Sequence, residues 1–162
     1  MIDPISLQLQ SALNELPQRS MRERVIAFEA LISQHPDAMG AKDFPLFHHF
    51  SPGVYARELH IPANVITIGR IHKYPCLNIL AKGDRSTLIG DEVRRIQAPF
   101  IHISPAGTKR ISYTHADSVW ITVHATEGTD VAQLEEALTA GSEKEYQDFL
   151  RLVAAEVPKC LS

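Results

Sequence analysis

The spacing of apolar residues along this chain changes at Val54 from a helical period to an alternating one. From Val54 to His124, short alternating or apolar stretches are separated by turn-forming residues such as Pro62-Ala63-Asn64 and Gly90-Asp91. Alternation sends successive side chains to opposite faces of a strand, whereas apolar residues three or four apart share one face of a helix. At least seven short strands at nearly even spacing predict one antiparallel sandwich or closed barrel.

Helix signals flank this segment on both sides. Ser20-Met21-Arg22-Glu23 is a capping box, in which serine and glutamate bond each other's free backbone N–H groups. After the strands, Thr129 or Asp130 can cap one helix, Ser142-Glu143-Lys144-Glu145 is a second capping box, and Pro158 stops the last helix. We therefore predict helices over residues 6–16, 21–34, 130–140 and 143–156.

The chain of 162 residues is long enough for one domain, which at this size buries about 70% of its unfolded surface. Its content of 44% hydrophobic and 22% charged residues is ordinary for a globular protein. We divide it into N-terminal helices (1–36), a connector (37–53), the barrel (54–124) and C-terminal helices (129–158).

Charge and composition argue against several classes of protein. A formal net charge of −3 gives no general attraction to nucleic acid or to an anionic membrane. No apolar run approaches the ~20 residues of a membrane-spanning helix, and no secretory signal is visible, so we expect a cytoplasmic protein. Cys76 and Cys160 are too few for a disulfide framework, and neither belongs to a CxxC pair.

The segment around His72 contains candidate metal ligands. In an extended strand, His72, Tyr74, Cys76 and Asn78 would point to one face. Imidazole nitrogen and thiolate both bind transition metals, and two alternate positions on a strand can hold one ion from the same side. A histidine and a cysteine packed in a barrel interior would give the same pattern.

A third candidate ligand, His124, lies near the end of the last predicted strand. Trp120 and Thr122 share its face, and this mixed face is expected to line the barrel, where His124 could meet His72. Both imidazoles must be neutral to bind a metal, so we expect metal affinity to fall as the pH drops through about 6.5. The opposite, aliphatic face of the strand, which we expect to pack against the helices, consists of Val119, Ile121 and Val123.

A second group of residues, rich in arginine and tyrosine, favours anion binding. Arginine presents a planar fork that pairs with phosphate or carboxylate, and tyrosine adds a stacking surface. A barrel mouth lined in this way would suit a small anion such as a nucleotide. Solvated surface charge is the alternative interpretation. The candidate ligand-binding residues are Arg57, Arg70, Tyr74, Lys109, Arg110 and Tyr113.

Two stretches of the chain resemble the sequence motifs of the cupin superfamily. A strand ending at His72, followed by a turn at Gly83, resembles the first motif, with Cys76 at the spacing of its glutamate. The turn Pro105-Ala106-Gly107 resembles the second motif, with Arg110 at the position of its histidine. This resemblance implies a jelly-roll barrel, and also a homodimer, because cupins often pair through strands or helices outside the barrel.

Residues 48–128 resemble more closely a group of cupin-like proteins from bacteriophage and prophage genomes, mostly of unassigned function. The first motif of that group is HxHxH, and this chain has Tyr74 and Cys76 at the later two histidine positions. The matching segments are His48-His49-Phe50, Tyr55-Ala56-Arg57-Glu58, Ile71-His72-Lys73, Leu77-Asn78, Gly107-Thr108-Lys109-Arg110 and Val123-His124-Ala125-Thr126.

The predicted fold class is mostly β, a cupin-like antiparallel β-barrel (jelly roll) with N-terminal and C-terminal helices. The predicted function is a phage-type protein, in the host cytoplasm, that holds a small anionic ligand in the barrel. A divalent transition metal at His72, Cys76 and His124 would accompany the ligand. Alternatively, an ion held by His72 and His124, with Cys76 or Tyr74 completing the site, would serve a metal-dependent enzyme as Lewis acid or oxygen-binding centre. A further alternative is a phage accessory protein that binds a host protein through its helices.

Overall fold

Capping residues begin the helices of the computed structural model, which describes residues 3–17, 20–36, 38 and 43–156. The Ser20–Glu23 capping box is present as predicted, and Asp130 accepts the Gln133 N–H at 2.9 Å. No helix in these residues is long and apolar enough to cross a membrane. The helices are α1 (Pro4–Asn14), α2 (Met21–Ile32), α3 (Val131–Leu138) and α4 (Glu143–Glu156).

Antiparallel strands make up most of the remaining described residues. They form a five-stranded sheet in the order β1-β2-β10-β5-β8, a four-stranded sheet in the order β3-β9-β6-β7, and a short β11-β4 pair. The strands are β1 (Leu46–Ser51), β2 (Val54–Ile61), β3 (Ile66–Ile68), β4 (Ile71–His72), β5 (Cys76–Lys82), β6 (Asp84–Ile89), β7 (Glu92–Gln97), β8 (Phe100–Ser104), β9 (Ile111–Thr114), β10 (Ser118–Ala125) and β11 (Thr139–Ala140).

The order of the strands is that of a jelly roll. One sheet contains β2, β10, β5 and β8, the other contains β3, β9, β6 and β7, and the neighbouring strands in each are antiparallel. Such an arrangement of eight strands in two facing sheets consists of two Greek keys. The predicted fold class, mostly β with helices at both ends, is confirmed.

The space between the two sheets is apolar at one end. There Leu80 and Trp120 from the five-stranded sheet pack against Ile96 from the four-stranded sheet, together with Phe44 and Ile61. All five are buried. Burying a large apolar side chain stabilises a fold by about 1.5–3 kcal/mol, so this cluster holds the two sheets together.

The outer faces of the two sheets differ. Helices α1 and α2 cover the four-stranded sheet through a cluster that includes Leu13, Val25 and Ile111. The outer face of the five-stranded sheet keeps large apolar residues in solvent, and Ile101 and Ile103 on its edge strand β8 are 65% and 66% exposed. The prediction that the helices pack on Val119, Ile121 and Val123 is wrong, because these residues lie on that outer face, half-buried.

Strand β1 lies inside the segment that the sequence presents as a connector. It pairs with β2 through the turn at Pro52-Gly53, where Gly53 has a φ of +74°. Strands β3 and β4 are separated at Gly69-Arg70, where the Gly69 N–H bonds the Arg110 carbonyl and the chain then leaves β9 for β11.

The predicted C-terminal helices are separated by a strand. Helix α3 ends at Leu138, and Thr139-Ala140 then pair with His72 and Ile71. Ser142 caps α4 as predicted, but Glu145 bonds the N–H of Gly141 rather than that of Ser142. Pro158 and residues 37 and 39–42 of the connector lie outside the described residues.

A candidate ligand site between the sheets

The alternation of β10 and β5 fills the other end of the inter-sheet space with polar side chains. On β10, Thr122 and His124 are buried, and on β5, Cys76 and Asn78 are buried. Thr122 stands opposite Asn78 in the register, and its hydroxyl donates to the Asn78 side-chain oxygen at 3.2 Å. The inward-facing rows of two paired strands therefore define one wall of this polar region.

His72, Cys76 and His124 lie together in the polar region. One ligand atom from each can be chosen so that all three lie within 4.8 Å of one another. Cys76 Sγ is 3.6 Å from His72 Nδ1, and the His72 and His124 rings stack with centroids 5.7 Å apart. The side chains that the sequence proposes as metal ligands are therefore neighbours in space.

The backbone of His72 is fixed from two directions. Its N–H donates to the Thr108 carbonyl at 2.9 Å, and its own carbonyl accepts the Gly107 N–H at 2.8 Å. On the other side, β4 pairs with β11, where Thr139 stands opposite His72. The turn after Pro105 and the C-terminal segment together hold this histidine in place.

Aromatic rings extend the site beyond His124. The Tyr55 ring stacks on His124 with centroids 6.3 Å apart, and on the other side Tyr55 neighbours His48 and Phe50. His48 Nδ1 and the Tyr55 hydroxyl share a hydrogen bond of 2.8 Å. Burial raises the pKa of Tyr55, so its hydroxyl stays protonated and can donate or accept a hydrogen bond.

Two arginines supply positive charge to the polar region. Arg110 is buried, its Nη1 donates to the Asn78 side-chain oxygen at 3.1 Å, and its Nη2 donates to the Ser104 hydroxyl. Arg57 lies on β2 directly opposite Thr122 of β10. Neither guanidinium forms an ion pair with a carboxylate anywhere in the part of the chain that the structure describes.

Burial and the arginines keep the histidines neutral. Burial, with Arg110 next, lowers the pKa of His72 to about 3. Burial and Arg57 also lower the pKa of His124, and burial raises the pKa of the Cys76 thiol. His72 is therefore already neutral, as a metal ligand must be, well below pH 6.5, and the predicted fall of metal affinity with falling pH stays a prediction.

The three donors fit a transition metal ion in type and in spacing. Two imidazole nitrogens and one sulfur suit Zn²⁺ or copper. With bonds of about 2.0–2.3 Å, two ligand atoms on one ion lie at most ~4.6 Å apart, so a small movement of the side chains would suffice. Cys76 would have to lose its proton. Arg110 favours an anionic sulfur at Cys76, but Arg110 and Arg57 both oppose a cation beside the histidines.

Two of the predicted anion-binding cations have carboxylate partners outside this region. The Arg70 guanidinium is exposed, bonds the Thr139 hydroxyl at 2.8 Å and lies within 4.0 Å of Glu135 and Glu145. Lys109 is buried, but its Nζ pairs with Glu29 at 2.9 Å and bonds the Gly69 carbonyl. Their charges are compensated within the protein.

Two of the predicted tyrosines also lie away from the polar region. Tyr74 is 45% exposed, because Pro75 interrupts the alternation between His72 and Cys76, and its ring packs on Phe149 of α4. Tyr113 donates a hydrogen bond to Asn64 on the exterior. Of the nine site residues proposed from sequence, the structure brings together Arg57, His72, Cys76, Arg110 and His124.

Sequence reasoning missed the buried guanidinium of Arg85 on β6. It is 3% exposed, and its Cζ lies 4.8 Å from the centre of the Trp120 ring. The signal was the alternation of β6, in which Arg85 shares the inward face with Thr87 and Ile89. In the sequence, Lys82-Gly83-Asp84 has the composition of a turn, so Arg85 beside it resembles an ordinary surface residue.

No protein-family model matches this sequence, and no curated protein matches it. Among solved structures it is similar to KdgF from Halomonas sp., with 14% identity over 60% of this chain and 91% of that chain and a TM-score of 0.47. It is also similar to the cupin domain of Schizosaccharomyces pombe Cnp3 (14% identity, 63% and 76%, TM-score 0.45). An RmlC-like cupin family protein from Methanocaldococcus jannaschii is a third (14% identity, 57% and 85%, TM-score 0.44).

The pKa of His72 predicts a pH-dependent stability. Between about pH 6.5 and 3 the unfolded chain protonates this histidine and the folded chain does not, so the free energy of unfolding falls with falling pH. The fall is at most about 1.4 kcal/mol per pH unit. In urea unfolding of metal-free protein, His72→Gln should lose less stability than wild type between pH 7 and 5. Exposed His49→Gln is the control, and equal losses in wild type and His72→Gln would contradict the assignment.

Proposed function

We propose that this protein binds a small anionic ligand at the polar end of the inter-sheet space, between Arg57, Arg110 and the pair His72 and His124. The observation that carries this proposal is the buried charge of Arg110, whose hydrogen-bond partners among the described residues, Asn78 and Ser104, are both neutral. Removing an ion from water costs several kcal/mol unless an opposite charge compensates it. A bound anion would supply that charge.

Two other cations of the described residues, Lys109 and Arg22, support this interpretation by contrast, because the fold gives them acidic partners, whereas Arg85 resembles Arg110 in having a neutral hydrogen-bond partner. Lys109, next to Arg110 in the chain and equally buried, pairs with Glu29. Arg22 pairs with Glu143 through two nitrogens at 2.8 and 2.9 Å. The lack of a carboxylate at Arg110 is thus a local property of the polar region.

The surrounding groups suit an anion better than a cation. Two guanidiniums repel positive charge, whereas the neutral imidazoles of His72 and His124 can donate hydrogen bonds to an anionic oxygen. Tyr74 and Tyr113, the rings expected to stack on a nucleotide base, lie elsewhere. The residues of the polar region therefore support binding of an anionic group, a carboxylate or phosphate, and do not support stacking of a nucleotide base.

A metal-dependent enzyme is the second candidate, and the spacing of the His72, Cys76 and His124 donors favours it. A bound ion would supply a Lewis acid, with Cys76 as thiolate and two neutral imidazoles as its ligands. An anionic substrate beside the ion would then be held by Arg57 and Arg110. A role in a bacteriophage or prophage stays a prediction from the sequence resemblance.

We also propose that two copies of the chain associate through the outer face of the five-stranded sheet. Ile101 and Ile103 are both about two-thirds exposed, and β8, which carries them, is the edge strand of that sheet. Exposed apolar side chains clustered on one face are typical of an interaction surface. The outer faces of two copies, packed against each other, would cover the isoleucines of both.

The anion proposal is tested by calorimetry with acetate, malonate, phosphate and AMP at constant ionic strength. We expect at least one of them to bind wild type and to bind Arg57→Gln and Arg110→Gln roughly 10- to 100-fold more weakly, because a charge-assisted hydrogen bond is lost. Arg70→Gln is the matched control and should bind like wild type. The proposal fails if no anion binds wild type or if all the variants bind equally.

Elemental analysis separates the metal-dependent enzyme from anion binding. Protein purified without an affinity tag and dialysed against chelator should contain less than one ion per chain if the anion is the ligand. A stoichiometric ion that survives dialysis, and that His72→Ala and Cys76→Ser lose while exposed His49→Ala retains it, would favour the metal centre instead. The three ligand atoms predict that either substitution removes most of the ion.

The dimer proposal is tested by light scattering coupled to size-exclusion chromatography. Wild type should have the mass of two chains, and the Ile101→Lys/Ile103→Lys double variant the mass of one, because four buried charges would face each other. Leu152→Lys on α4 is the control, since Leu152 is 66% exposed, like Ile103, and lies outside the sheet. A monomeric wild type or a dimeric double variant would overturn the proposal.

A further inference from the structure

Arg85 and Arg110 approach the same aromatic ring from the four-stranded side of the interior. Each guanidinium carbon lies 4.8 Å from the centre of the Trp120 ring. Arg85 donates from Nη2 to the Thr67 hydroxyl at 3.0 Å, and Arg110 donates to Asn78 and Ser104. The Nε atoms of both arginines are buried and have no hydrogen-bond partner among the described residues.

The interior therefore carries more positive charge than the protein compensates. Arg85 and Arg110 have pKa values of about 9 and about 10, so both stay charged at neutral pH. Arg57 adds a third guanidinium, on which the carboxylate of Glu135, an exposed residue of α3, acts without forming an ion pair among the described residues. A ligand with one negative charge would leave two of the three cations uncompensated.

The three guanidiniums lie beside two positions along β10, Trp120 and Thr122. Arg85 and Arg110 meet at Trp120, and Arg57 stands opposite Thr122, two residues further along the strand. Two residues of a strand span about 7 Å. Two anionic groups, one beside Trp120 and one beside Thr122, would thus be joined by a short chain of atoms. The group beside Thr122 would also reach His124.

We propose that the ligand carries two negative charges and that Arg85, together with Arg110, binds the second one beside Trp120, an inference that rests on the proposed anion-binding function. The chemical class is a short dianion such as a dicarboxylate or a phosphorylated acid. Arg85 acts as a specificity residue, because its fork distinguishes a ligand with a second anionic group from one without it.

The experiment compares ligands that differ by one charge. Malonate, succinate, glutarate and adipate are each measured against their monoamides by calorimetry at pH 7.5 and constant ionic strength. We expect the best dicarboxylate to bind wild type about 10- to 100-fold more tightly than its monoamide. Arg85→Met should remove most of that preference while leaving monoamide affinity within about threefold, and Arg70→Met should retain it.

The outcomes separate this inference from the function on which it rests. If monoamides and dicarboxylates bind wild type equally and Arg57→Gln weakens the binding of both, the proposal of a second negative charge on the ligand is refuted, while the proposed anion binding stands. If Arg85→Met keeps the full preference, Arg85 is not its origin and the inference is overturned. If no anion binds wild type, both proposals fall. Should Arg85→Met not fold, Arg85→Lys replaces it, with an intermediate preference expected because the charge stays and the fork is lost.

Discussion

Strand β10 is hydrogen-bonded on both sides, to β2 and to β5, over nearly its whole length. Its inward-facing row of Trp120, Thr122 and His124 is therefore fixed in the space between the sheets. Trp120 completes the apolar cluster, and His124 faces His72. A shift of one residue would replace this row with Val119, Ile121 and Val123 and would abolish the polar region.

The polar region stabilises the fold less than an apolar core of the same volume would. Within the part of the chain that the structure describes, Arg85 and Arg110 make hydrogen bonds only to neutral groups, and each leaves a buried Nε without a partner. Such groups cost free energy, and a fold gains nothing from them unless a ligand engages them. An anion that binds only the folded state would raise the stability of the protein with its concentration.

The sequence predicts the fold well, because periodicity and caps are local signals. The change at Val54 and the Ser20–Glu23 box locate strands and a helix correctly. The site is predicted in part: strand parity brings His124 inside, but Pro75 breaks the parity that would have placed Tyr74 there. Which arginines are buried could not be predicted, since inside and outside depend on sheet packing between residues far apart in sequence, as Arg85 illustrates.

Strand β11 affects the order in which the parts of the chain fold. His72 lies on β4, whose outer partner, Thr139-Ala140, belongs to a much later part of the chain. The strands up to Ala125 contain the residues of the jelly roll, so a nascent chain can bury its core while β11 is still inside the ribosome. The proposed ligand site would then be completed in a separate, final step, when the C-terminal segment docks beside His72.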